Sequence, residues 1–75
     1  MISVESLRSM ILASFPDARV EVNDLTGTSD HFEAIVVAKE FAGKSRIEQH
    51  RMVYASLGQA MGSAIHALAL KTSDK

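Results

Sequence analysis

The sequence predicts an α+β fold, a two-layer αββ(α)αβ domain with two helices on one face of a three-stranded mixed sheet. Three observations predict it. Apolar residues recur at helical spacing near the N-terminus; two strand-like runs follow, divided by a polar, glycine-containing connection; and a capping box opens a second helix ahead of a last apolar run. The first two strands should form an antiparallel hairpin. The second returns to the third through a helix, which calls for a right-handed crossover and a parallel pair. Helices on a single face leave the other face available to a partner.

Val4, Leu7, Ile11 and Phe15 carry the helical period behind Ser3, a good N-cap, and Pro16 disfavours helical backbone at Phe15, so helix one runs from about Ser3 to Ser14. From Arg19 to Leu25 polar residues alternate with Val20 and Val22, the period of a strand with one wet face. Thr26, Gly27, Thr28, Ser29 and Asp30 form the connection. Strand two, Phe32 to Ala38, is apolar on both faces at Ile35, Val36 and Val37. After a short turn around Glu40, Phe41 and Gly43, Ser45-Arg46-Ile47-Glu48 reads as the capping box. Ile47, Val53, Tyr54, Leu57 and Met61 mark the apolar face of the main helix, with Gly62 at its left-handed end and Gly58 weakening its last turn. Strand three is expected from Ala64 to Leu70, with His66, Leu68 and Leu70 on one face and Ile65, Ala67 and Ala69 on the other.

A chain of 75 residues supports one core, so residues 1–75 read as a single domain. With 47% hydrophobic and 23% charged residues the composition is that of a folded soluble domain. Its longest apolar stretch, Ala34 to Ala38, is far short of the roughly 20 residues that span a bilayer. The N-terminus has no basic segment followed by a clean apolar one, which makes the cytoplasm, or an organelle after trimming, the expected location. There is no cysteine, excluding disulfides, thiol catalysis and a thiolate metal site from this chain alone. The net charge of −1 is uneven: residues 1 to 38 hold two basic and six acidic side chains, residues 39 to 75 six basic and three acidic. Nucleic-acid binding would therefore need a local patch.

No nucleophile elbow, P-loop, dinucleotide fingerprint or zinc pattern occurs, so an enzyme is not expected. Three histidines remain. His50, between Ile47 and Tyr54, reads as a ring packed at the core margin. His31, opening strand two beside a polar loop, reads equally as a solvated residue or a ligand. His66 stands in an apolar strand where imidazole packs no better than valine; it is either satisfied by a backbone carbonyl or functional.

Asp30-His31-Phe32-Glu33, Phe41-Ala42-Gly43-Lys44, His50-Arg51-Met52-Val53-Tyr54 and Ile65-His66-Ala67-Leu68-Ala69-Leu70 resemble, in order and spacing, the successive blocks of the BolA family. The resemblance covers nearly the whole chain. It implies a domain similar to the type II KH fold, although Gly43-Lys44-Ser45-Arg46 keeps only the first glycine of the RNA-gripping GxxG loop. It also implies a heterodimer with a monothiol glutaredoxin bridging a [2Fe-2S] cluster, the glutaredoxin and its glutathione supplying thiolates to one iron and this chain imidazole to the other. His66 matches the family's C-terminal histidine ligand. The family's second ligand is a cysteine or histidine in the loop between strands one and two; Leu25 to Asp30 contains neither, and His31 is the nearest candidate. A competing reading is a DNA-binding transcriptional regulator that faces phosphates with Lys39, Lys44, Arg46 and Arg51. Whether the chain also forms a homodimer stays open.

Overall fold

The computed structural model describes residues 2–27, 31–61, 65 and 67–75. Helix α1 spans Val4–Ser14, and the Ser3 hydroxyl caps it by accepting from the Ser6 amide at 3.0 Å. Glu5 in its first turn complements the helix dipole. The helix ends at Phe15, whose backbone leaves the helical region ahead of Pro16. Strand β1 (Arg19–Asp24) pairs antiparallel with β2 (His31–Val37), in the register Arg19 to Val37 through Asp24 to Phe32. Strand β3 (Ala67–Ser73) pairs parallel with β2, from His31 opposite Ala67 to Val37 opposite Ser73. The sheet order is β1-β2-β3, with β2 central. The expected two-layer mixed-sheet fold is therefore the observed one.

The pleat divides the sheet cleanly. Phe32, Ala34 and Val36 of β2 are buried under the helices with Leu7 and Ile11 of α1. His31, Glu33, Ile35 and Val37 alternate with them on the open face. Phe41, in a 3-10 turn over Lys39–Phe41, packs its ring against Phe15 with centroids 5.3 Å apart and planes tilted by 58°.

Helix α2 (Arg46–Leu57) opens with the full capping box and buries Val53 and Leu57. Its inward face differs from the expectation. Ile47 is 66% exposed and Tyr54 39%, and the positions one turn ahead of Val53 on the inward stripe fall to half-buried Gln49 and His50. Ile47 lies six residues from Val53, about 240° around the helix and off that stripe. Gln49 uses its inward position: its Nε2 donates to the carbonyls of Phe41 at 3.3 Å and Lys44 at 3.0 Å, and its Oε1 accepts from Thr72 Oγ1 at 2.6 Å.

The end of α2 is a second correction. The helix stops at Leu57, not beyond Met61, because Gly58 adopts φ +55° and ψ −131°, backbone that only glycine takes without strain. A side chain there would meet nothing within 4 Å, so alanine would cost backbone strain alone, about 1–3 kcal/mol. A 3-10 turn, Gly58–Ala60, follows. Gly62, expected as the left-handed end, lies outside the described residues. The third strand starts later than expected and reaches Ser73. Ile65 is fully buried and makes an isolated bridge to Met61, while Ala67 and Ala69 are exposed on the open face. Ile65 thus does not share a strand face with those alanines.

Candidate functional site

His31 opens β2 on the open face, and its carbonyl accepts from the Leu25 amide at 2.9 Å, extending the hairpin ladder by one bond. The turn before it is shaped by Asp24, whose Oδ1 accepts from the amides of Thr26 at 3.3 Å and Gly27 at 2.9 Å, with Gly27 at φ +75°. Across the parallel pair, His31 stands opposite Ala67, the first residue of β3. His66, which directly precedes Ala67, lies outside the described residues, as do 28–30 of the connecting loop. The hairpin thus carries His31 to the start of strand three. On the same open face Glu33 accepts from Asn23 Nδ2 at 3.3 Å and pairs with Lys71 Nζ at 3.7 Å, a polar row one step along from His31.

The basic residues expected to face phosphate belong to the 3-10 turn, the loop before α2 and α2 itself, and Lys44 and Arg51 both act on the Glu48 carboxyl. Lys39 begins the 3-10 turn and lies 3.6 Å from Asp17, both side chains well exposed. Lys44 precedes the Ser45 cap. Arg46 and Arg51 are five positions apart on α2, about 140° around the helix. The N-terminus of α2 is itself occupied. Ser45 N–H donates to Glu48 Oε1 at 3.0 Å, and the Glu48 amide donates to Ser45 Oγ at 3.2 Å. A carboxylate therefore sits where an anion would be bound.

The Ser45 backbone N–H, and then its hydroxyl, hold the Glu48 carboxyl below the usual carboxylate range, with Lys44 and Arg51 adding to the effect. A carboxyl whose folded-state pKa is depressed contributes stability that is complete above its unfolded pKa and lost as pH falls through the folded one. Glu48→Gln keeps a side chain able to accept the cap hydrogen bond but not the charge. It should lower stability at neutral pH, and the gap from the parent should close as pH drops below the ordinary glutamate range. Urea melts over that pH range check this; a gap that persists in acid would mean the charge is not its source.

A groove of about 380 Å³ lies between α2 and β3, lined by Arg46, His50, Leu70, Lys71 and Thr72. His50 belongs here, not with His31: its Nε2 is buried and has no hydrogen-bond partner among the described residues. Lys71 was missed by sequence reading. The signal was present, because the alternation of the last strand continues through Lys71-Thr72-Ser73 once the strand is begun at Ala67. Among the described residues no group of three or more His, Asp or Glu could hold a metal ion, and no helix is long and apolar enough to cross a membrane.

The family model for BolA-like protein matches residues 12–75. The DNA-binding transcriptional regulator BolA of Escherichia coli (strain K12) is 31% identical to this chain over 75 residues, covering 91% of this chain and 71% of that protein. A bolA protein homologue from Coxiella burnetii superposes with a TM-score of 0.83 at 35% identity, over 97% of this chain and 91% of that one. Yeast Fra2 superposes at 0.79 with 29% identity, over 95% and 77% of the two chains.

Proposed function

This chain belongs to the BolA-like family, and from that premise we propose that it is a binding adaptor for a [2Fe-2S] cluster shared with a monothiol glutaredoxin. His66 and His31 are its ligands in this reading, and it serves cluster transfer or iron sensing. The observation that carries the proposal is the sheet register. His31, on the open face, stands opposite Ala67, so the register brings the residue that follows His66 in the chain to the same end of the sheet as His31. Two imidazoles are the complement one iron of such a cluster takes when thiolates hold the other. A cysteine-free chain fits a shared group whose remaining ligands come from the partner and its glutathione. Imidazole ligation adds no negative charge, which raises the cluster's potential and makes its hold sensitive to protonation.

The decisive experiment mixes this protein with a monothiol glutaredoxin, glutathione and iron and records the visible spectrum of the purified complex. A cluster spectrum in a heterodimer is expected, and a complex that never acquires one would sink the proposal. His31→Ala should weaken the cluster-loaded complex while leaving the apo complex largely intact. His50→Ala should mainly change stability, because that ring lines the groove on α2 and not the end of β2 where His31 stands. A folded His50 variant that loses the cluster while the His31 variant keeps it would reverse this assignment.

The name of the Escherichia coli relative supports a second reading, a DNA-binding regulator. A chain of net charge −1 with only a handful of basic residues to face phosphate should bind duplex DNA weakly, with an affinity that falls steeply with salt. Tight, sequence-selective binding that survives physiological salt would put the regulator ahead of the adaptor.

A further inference from the structure

The two edges of the sheet are finished differently. At β1, Arg8 Nε donates to the Val20 carbonyl at 3.0 Å and covers part of the edge. At β3, no second strand is paired among the described residues. The Ser73 carbonyl accepts from the Ala38 amide, so the backbone groups of Ser73 turn toward β2. Alternation then turns those of Leu68, Leu70 and Thr72 outward. Leu70 and Thr72 also line the groove beside α2, where Arg46, His50 and Lys71 join them and no acidic residue does among the described residues; the Lys71 side chain itself turns to the open face toward Glu33.

We infer that this edge and groove receive an extended acidic peptide segment of a partner protein. The segment adds as a fourth strand beside β3, with a carboxylate on its helix side over Arg46 and another on its open-face side beside Lys71. The inference is independent of the cluster reading. An unpaired strand edge offers main-chain hydrogen bonds that another peptide backbone matches, and alternate side chains of the added strand fall toward the groove. The buried His50 Nε2, without a partner among the described residues, gains one when a polar peptide group enters. Charge selects the occupant. Lys71 reaches Glu33 only at 3.7 Å and with its side chain 70% exposed, a loose pair that exchanges for a peptide carboxylate at little loss. A second copy of this chain would bring its own Lys71 and no carboxylate on β3. A nucleic-acid strand would find no phenylalanine, tyrosine or tryptophan ring among the described residues that line the groove, leaving only the partly buried His50 imidazole as a surface on which to stack a base.

The test titrates acetyl-Val-Glu-Glu-Val-Glu-Glu-Val-amide, which carries carboxylates on both faces of an extended strand, into isotope-labelled protein, followed by amide exchange and chemical shifts. The same peptide with lysine for glutamate is the control. Protection of the Leu68, Leu70 and Thr72 amides is expected, with β1 unchanged and the lysine peptide inert. Arg46→Glu combined with Lys71→Gln should weaken binding about tenfold, the loss of two exposed charge contacts. Glutamate in the first turn of α2 favours that helix, so the loss would not come from unfolding, and a thermal melt confirms it. Equal binding of both peptides, or no protection at β3, overturns the proposal. So does protection of those amides that rises with protein concentration alone, which would assign the edge to a second copy. Perturbation of the groove by a short oligothymidylate and not by the acidic peptide would assign it to nucleic acid.

Discussion

His66→Ala should fold as the parent does and lose the cluster in the glutaredoxin complex. No cysteine exists anywhere in the chain to replace the missing imidazole, so one iron would be left a ligand short on this side of the complex. Removing only an outer partner of a metal ligand typically costs about 10–100-fold in affinity, and losing the ligand itself should cost at least that much. The measurement is the cluster's visible absorbance and its lifetime in the purified complex. Apo-complex formation, followed separately by gel filtration, should persist. An unchanged spectrum and lifetime would remove His66 from the ligand set.

Phe32→Ala should have the largest effect on the fold. Phe32 is 1% exposed near the start of the central strand, on the same buried face as Ala34 and Val36 and in one core cluster with Leu7 and Ile11 of α1. Truncating a buried phenylalanine costs about 3–5 kcal/mol through lost burial and the cavity left behind. A chain of 75 residues has a total stability on the order of 4–11 kcal/mol at roughly 0.05–0.15 kcal/mol per residue. The urea midpoint should therefore fall by about a quarter or more. Phe32 adjoins His31 in the chain, so this variant should lose cluster and fold together, whereas His66→Ala should lose the cluster from a folded protein. A loss of less than about 1 kcal/mol in unfolding free energy would mean that the core closes over the gap.

Local signals were the legible part of this sequence. Ser3, Pro16 and the Ser45–Glu48 box set helix ends through short-range hydrogen bonds and sterics, and all three act as read. The hairpin and the parallel return followed from alternation and chain connectivity. What misled was the assumption that apolar residues mark the inward face of α2. Gln49 faces inward to tie Phe41, Lys44 and Thr72 together, a long-range polar role that periodicity does not encode, and Ile47 is turned out as a result. The end of α2 was misplaced because two glycines competed for it, and the backbone angles of Gly58 are needed to choose. At the site, the nearness of His31 to the start of β3 was inferable from the hairpin. The gathering of Arg46, His50 and Lys71 was not, because it joins two elements whose relative position only the packing fixes.

The parallel pairing of β2 with β3 also governs the order in which the protein assembles. β1 and β2 are joined by a short turn and α1 precedes them directly, so their contacts close small loops and form early. β3 meets β2 only after the chain has passed through both 3-10 turns and the whole of α2, and that closure costs more chain entropy before any contact repays it. β3 should dock last, on a nucleus already built from α1 and the hairpin. Core substitutions at Val20 or Phe32 should then slow folding, whereas Leu68→Ala or Leu70→Ala should chiefly speed unfolding, a difference read from the two arms of a chevron plot. Equal slowing of folding by both sets would mean that the parallel pair is already formed at the barrier.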